Sequence, residues 1–272
     1  MPTYLDKDTT VDLLRRQYDE LGALGSGLTG SQWSTPTCLP GWTVHDVFGH
    51  VIGTETMLTG QDPPAADVSH LGHMRNPIAE ANEVWVESLR PLSPSELLAR
   101  YEDVIRRRLE ALDGMSQADF DAPSWTPAGK DETYGRFMRI RHFDCYMHEG
   151  DVRAAVGAPP RNDVADLASS LDEVATGLGY IVGRRAGLPD GSRVRIELAG
   201  PAARTFLVAV DGRASVVDAL DGPATVGLAM PVPLFLRLTG GRDDGPGAAD
   251  GVTLTGDEPL GARLVANLAF TI

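Results

Sequence analysis

The sequence predicts an α plus α+β fold, a helical bundle followed by a small α+β domain. Two observations predict it. Up to about residue 160, apolar residues recur at helical spacing, and the breaks between segments carry caps, prolines and glycines. Beyond about Arg193 the pattern changes to short alternating runs closed by turn pairs such as Asp211-Gly212. A length of 272 residues suits one large or two ordinary domains. The division is placed at 1–160 and 161–272, and the first helix of the second part, 163–185, is free to pack on the bundle.

Each element has a local reason. Leu13, Leu14, Tyr18, Leu21 and Leu24 form an apolar stripe that predicts a helix over 11–28, broken by Gly25, Gly27 and Gly30. Thr43 with Asp46 three residues on is an N-cap signal, so a helix runs to about Thr59. Residues 61–76 show no period and read as a mobile loop in which substrate selection is expected to lie. Asn76 before Pro77 opens a helix to about Leu89, and Ser93-Pro94-Ser95-Glu96 is a capping box for one through Leu112. Residues 119–130 read as a loop around Trp125. A long helix follows over 132–156 and stops at Gly157-Ala158-Pro159-Pro160. After the helix at 163–185, strands are expected at 193–198, 205–210, 215–220, 224–228 and 252–255. Helices are expected at 231–238 and 257–269, with a Gly/Asp loop at 241–251.

The 38 acidic and 24 basic residues give a formal charge of −14. That balance argues against nucleic acid or an anionic membrane as partner. No apolar run approaches the ~20 residues of a membrane span, and nothing near Met1 reads as a signal peptide. With two cysteines, Cys38 and Cys145, a cytoplasmic protein with reduced thiols is the expectation.

The chain is organised around the stretch 141–153. On a helix, Asp144 and His148 project from one face, one turn apart. His50, on the helix that Thr43 caps, supplies a third donor. Two histidines and one carboxylate with an open position are how a catalytic zinc site is built.

Pro40-Gly41-Trp42-Thr43 followed by His50, and then Asp144-x3-His148-x2-Asp151-x-Arg153-x3-Gly157, resembles the mycothiol-dependent maleylpyruvate isomerase family. Gly240-Gly241-Arg242 and Val252-Thr-Leu-Thr-Gly-Asp257 are similar to that family's second domain, so the resemblance spans nearly the whole chain. It implies an N-terminal DinB-like up-down four-helix bundle and a small α+β domain. It also implies that His50, Asp144 and His148 are metal ligands, for zinc or another divalent ion, with mycothiol as the thiol cosubstrate. The implied partner is a small electrophile or diacid, and the implied chemistry is cis–trans isomerisation or S-transfer. The family isomerase has a glutamate where this chain has Asp144. Arg242 and Arg237, in the segment expected to face the bundle, are the basic residues assigned to hold a carboxylate or a developing enolate. A zinc-dependent hydrolase of the same bundle and a non-catalytic binding module are the competing readings.

The remaining chemistry-bearing residues have plainer readings. His45 is expected on an exposed helix face, His70 and His73 in solvent, and His142 in a structural role. Cys145 is expected to be buried and inert, and Cys38 incidental. Trp42 is expected to pack the helix start. Asp151 and Arg153 are read as a structural ion pair or cap, with orientation of His148 by Asp151 as the alternative. Gly177, Gly179 and Gly183 lie inside a helical run with the wrong spacing for a dinucleotide fingerprint.

Overall fold

The computed structural model describes residues 2–74, 76–242, 247 and 249–271. The chain divides into two compact units, one running to Arg161 and the other spanning Asn162–Thr271.

The first unit is a bundle of four long helices with one additional helix against it. Helix α1 (Lys7–Ser26) begins where Asp6 accepts the Thr9 N–H, four residues ahead of the expected start. Helix α2 (Val44–Leu58) carries the capping box of Thr43 and Asp46, and α3 (Pro77–Leu89) is capped by Asn76. Helix α4 (Pro94–Asp113) opens on the Ser93/Glu96 box. The expected loop at 119–130 instead contains a short helix α5 (Gln117–Phe120) and a hairpin of β1 (Pro123–Thr126) and β2 (Gly129–Thr133). Those strands are too short and too exposed to show alternation, which is why the segment reads as a loop. Helix α6 (Tyr134–Val156) ends at Gly157, whose φ of 71° is the left-handed cap that glycine adopts without strain.

Helix α1 packs on α4 and α6, while α2 packs on α3, α4 and α6. Their shared core includes Leu14, Tyr18, Leu21, Phe48, Ile52, Leu97, Leu112 and Met138, all fully or almost fully buried. Each large side chain of this kind contributes about 1.5–3 kcal/mol. The α2–α3 contact is close because Gly49 and Gly53 face α3. A Cβ on Gly53 would stand 2.3 Å from the Trp85 side chain.

In the second unit, α7 (Val164–Tyr180) gives way at Ile181 to a wider π turn through Arg185, where one unbroken helix is expected. Strands β3 (Arg193–Ala199), β4 (Arg204–Asp211), β5 (Arg213–Val216), β6 (Val226–Pro231) and β7 (Thr253–Gly256) form one sheet in the order β5-β4-β3-β6-β7. Among the described residues, the β3/β6 pair alone is parallel. Val194, Ile196 and Leu198 alternate inward along β3, which is why that strand was legible. Helices α8 (Val232–Thr239) and α9 (Glu258–Val265) complete the unit. The last helix is shorter than expected, and part of the Gly/Asp loop (243–246 and 248) lies outside the described residues. No helix among the described residues is long and apolar enough to cross a membrane.

Candidate metal centre

Asp144 and His148 sit one turn apart on α6, and α2 brings His50 opposite them. One donor atom from each of the three can be chosen so that all lie within 4.8 Å of one another. His50 Nε2 is 3.2 Å from Asp144 Oδ2, and His148 Nε2 is 3.5 Å from Asp144 Oδ1. Both histidines are buried, at 4% and 7% exposure, whereas the Asp144 side chain keeps 30% of its surface. The site therefore has an enclosed back and an accessible carboxylate.

Charged groups behind the triad hold Asp144. Arg141 Nη1 donates to Asp144 Oδ2 at 2.7 Å, and Arg141 Nε donates to Glu55 Oε1 at 2.8 Å. The other Glu55 oxygen accepts from Arg108 Nε at 3.0 Å. Glu55, Arg108 and Arg141 are essentially buried, and they join α2, α4 and α6 at one point. Burial alone would raise Asp144, but Arg141, His148 and His50 outweigh it and hold its carboxyl well below the usual range. Burial likewise opposes ionisation of Glu55, and the two arginines overcome it. His50 is pushed down by burial, with Asp144 opposing, so it favours the neutral imidazole that a metal needs.

The two imidazoles are oriented differently. His148 Nδ1 lies 3.1 Å from Asp151 Oδ2, an arrangement suited to holding a proton on Nδ1 and turning Nε2 toward the triad, where it stands 3.5 Å from Asp144 Oδ1. Asp151 thus pairs with His148 rather than Arg153, and Arg153 bonds Glu149 at 2.6 Å instead. His50 Nδ1 is buried without a hydrogen-bond partner among the described residues. Trp42, expected only to pack the helix start, lies against both rings, with centroids 5.2 Å from His50 and 6.0 Å from His148.

The other expectations divide. His45 is half-buried rather than exposed, because its Nε2 reaches Leu92 O at 2.9 Å and its ring meets Trp33 edge-on. His73 is only 23% exposed and pairs with Glu83, while His70 is exposed. His142 is fully buried and stacks on Tyr146. Arg237 lies in the last turn of α8 and Arg242 just beyond the helix, and the Arg242 N–H donates to Arg237 O at 2.9 Å. Both arginines are half-buried within the second unit.

Cys145 is buried, and burial pushes its thiol well above the usual range. Cys38 is exposed, and its Sγ lies 3.3 Å from Asp151 Oδ1. Iodoacetamide should therefore modify native protein at Cys38 alone and reach Cys145 only after denaturation, as peptide mass mapping would report. Labelling of Cys145 in the native state would contradict this burial.

Residues 14–153 match the mycothiol maleylpyruvate isomerase N-terminal domain. Two uncharacterized proteins of Mycobacterium tuberculosis, from strains H37Rv and CDC 1551, are each 26% identical over 201 residues, covering 71% of this chain and 74% of theirs. The crystal structure of the mycothiol-dependent maleylpyruvate isomerase superposes with a TM-score of 0.61 at 19% identity, covering 92% of this chain and 93% of that one. A histidine-to-alanine variant of that isomerase gives the same TM-score at 18% identity. At these identities the superposition establishes a shared fold.

Proposed function

Because the chain belongs to the mycothiol maleylpyruvate isomerase family, we propose that it is an enzyme using a low-molecular-weight thiol of the mycothiol type to isomerise a small cis diacid. The observation that carries the reading is the convergence of His50, Asp144 and His148. These three are the proposed ligands of one zinc ion. A tetrahedral zinc with bonds of about 2.1 Å separates neighbouring donors by ~3.4 Å. The 3.5 Å spacing from His148 Nε2 to Asp144 Oδ1 is of that size, and one donor atom from each of the three residues lies within 4.8 Å of the others.

When bound, the metal supplies an open position at which a thiol is held as thiolate near neutral pH. The chain's own groups prepare that position. Asp151 keeps the proton on His148 Nδ1, and burial favours the neutral form of His50. Arg141 covers Asp144 Oδ2 and leaves Oδ1 for ligation. A thiol held there would supply the nucleophile for reversible addition to the activated double bond, the electron pair passing to the adjacent carbonyl as an enolate and returning when the same thiol is expelled after rotation. Arg242 and Arg237 are proposed to hold the substrate carboxylate.

S-transfer to an electrophile is the second reading, favoured by one observation. Asp144 is a methylene shorter than the family isomerase's glutamate and is anchored on Arg141, so the isomerase's geometry does not carry over unchanged. The deciding measurement follows zinc content, thiol binding with and without chelator, and turnover with mycothiol supplied. Chelator-sensitive thiol binding with turnover of maleylpyruvate is the expected result. Transfer to an electrophile without isomerisation would select the second reading. Thiol-independent hydrolysis, or metal uptake with no turnover, would overturn both. Arg242→Ala should lower turnover on the order of 100-fold while zinc content stays unchanged, and wild-type activity in that variant would remove Arg242 from the mechanism.

A further inference from the structure

The asymmetry between the two histidines identifies a positioning pair. Asp151 fixes the His148 ring through Nδ1, whereas the corresponding nitrogen of His50 has no hydrogen-bond partner among the described residues. Apart from Asp144 at Nε2, what lies against the His50 ring is aromatic. Trp42 is on one centroid vector at 5.2 Å with the planes 36° apart, and His148 is on another at 4.8 Å, nearly edge-on. With Nε2 turned to Asp144 and the proposed metal position, the ring has no second hydrogen bond at Nδ1 to set its χ2, and on that side it is held only as firmly as the groups packed against it.

Trp42 is itself held. Its Nε1 donates to Glu83 Oε2 at 2.7 Å, and Glu83 is 1% exposed. The same carboxylate accepts from Arg90 Nη2 at 2.8 Å and lies 3.1 Å from His73 Nε2. The Trp42 backbone is fixed too, with its N–H donating to Leu39 O and its carbonyl accepting from the Thr37 N–H and hydroxyl. Glu83 belongs to α3, which the bare Gly49 and Gly53 allow to lie close on α2.

From these contacts we infer that Trp42, anchored by Glu83, is the positioning residue for His50 in metal binding, doing through ring packing what Asp151 does for His148 through a hydrogen bond. This inference rests on the triad being a metal site. Trp42 touches no reacting atom in this role and acts only through the imidazole.

The test compares wild type with Trp42→Leu, which removes the ring, and Trp42→Phe, which keeps a ring but not the N–H to Glu83. Zinc affinity is read by competition with a chromophoric chelator, and the two imidazoles by long-range nitrogen–proton NMR of the zinc-loaded protein. Outer groups that orient ligands carry about 10- to 100-fold in metal affinity. Trp42→Leu should lose that much, with His50 signals broadened and His148 signals retained. Trp42→Phe should fall between the two proteins. A merely structural Trp42 would lower melting temperature but leave zinc affinity and the His50 signals as in wild type, and that result overturns the inference. Should the leucine variant not fold, the phenylalanine variant decides alone, and wild-type affinity with unaltered His50 signals in it is the overturning result. Wild-type protein that takes up no zinc removes the underlying metal reading, and this inference with it. Zinc uptake by wild type with no change in either variant removes the inference alone.

Discussion

Alanine at His50, Asp144 or His148 should each cost more than ~100-fold in zinc affinity, since losing a ligand exceeds the 10- to 100-fold cost of losing a group behind one. Chelator-sensitive thiol binding should disappear with the metal. The fold should persist in each case, because the core of Leu14, Tyr18, Phe48 and Ile52 does not depend on these side chains. His45→Ala is the control. It removes the contact to Leu92 and leaves the triad in place, so it should bind zinc as wild type does. If all three triad variants retained wild-type zinc content, the metal reading would fail. The site should also be sensitive to acid in a defined direction. His50 in the fold is depressed below its unfolded value of ~6.5. The unfolded chain therefore binds the extra proton first as pH falls. The stability associated with neutral His50 is present above about 6.5 and is lost as pH falls through the folded-state value. Asp144, held far lower, adds its own loss only in stronger acid. Denaturation of the metal-free protein followed against pH, in wild type and in His50→Gln, would separate the histidine contribution. Identical profiles would remove it.

Glu55→Ala is the second large effect, and it falls on stability. The substitution would leave Arg108 and Arg141, at 1% and 4% exposure, buried without the carboxylate that both of them use. Breaking a buried pair by deleting one partner costs about 3–5 kcal/mol. In a unit of this size each kcal/mol moves the melting temperature by about 2–4 °C. A drop of roughly 6–20 °C is therefore expected by calorimetry on the metal-free protein. Replacing Glu55, Arg108 and Arg141 together with apolar residues should recover most of that loss, because the desolvation of three charges disappears along with their attraction. A shift under ~2 °C for Glu55→Ala would mean that the cluster is solvated or already balanced from elsewhere.

The sequence was informative where the physics is local. Thr43 with Asp46, Asn76 before Pro77 and Ser93 with Glu96 each marked a helix start to the residue, because a cap and its target are three positions apart. Asp144 and His148 were legible for the same reason. The α1 start was missed because Asp6 caps ahead of the apolar stripe, and the hairpin at 123–133 because its strands are too short to alternate. The charged support of the site was missed altogether. Arg108 and Arg141 reach Glu55 across 53 and 86 residues of sequence, so neither helix by itself names the partner. Trp42 was recognised as a packing residue, but the partner it packs on lies on another element. An unpaired arginine on an otherwise apolar helical face is the signal that could have pointed to the buried cluster.

The bond from Arg141 to Asp144 ties a metal-binding side chain to the interior of the bundle. A drift from aspartate to glutamate at position 144 would push the longer side chain toward the guanidinium that now covers Oδ2, unless residue 141 changed as well. The two positions are therefore not free to diverge independently. A lineage moving between the two carboxylates has to re-seat the Arg141 guanidinium against a longer side chain, so the effect of a substitution at one position is expected to depend on the residue at the other. Neighbouring members of the family should bear this out in their joint choice at 141 and 144.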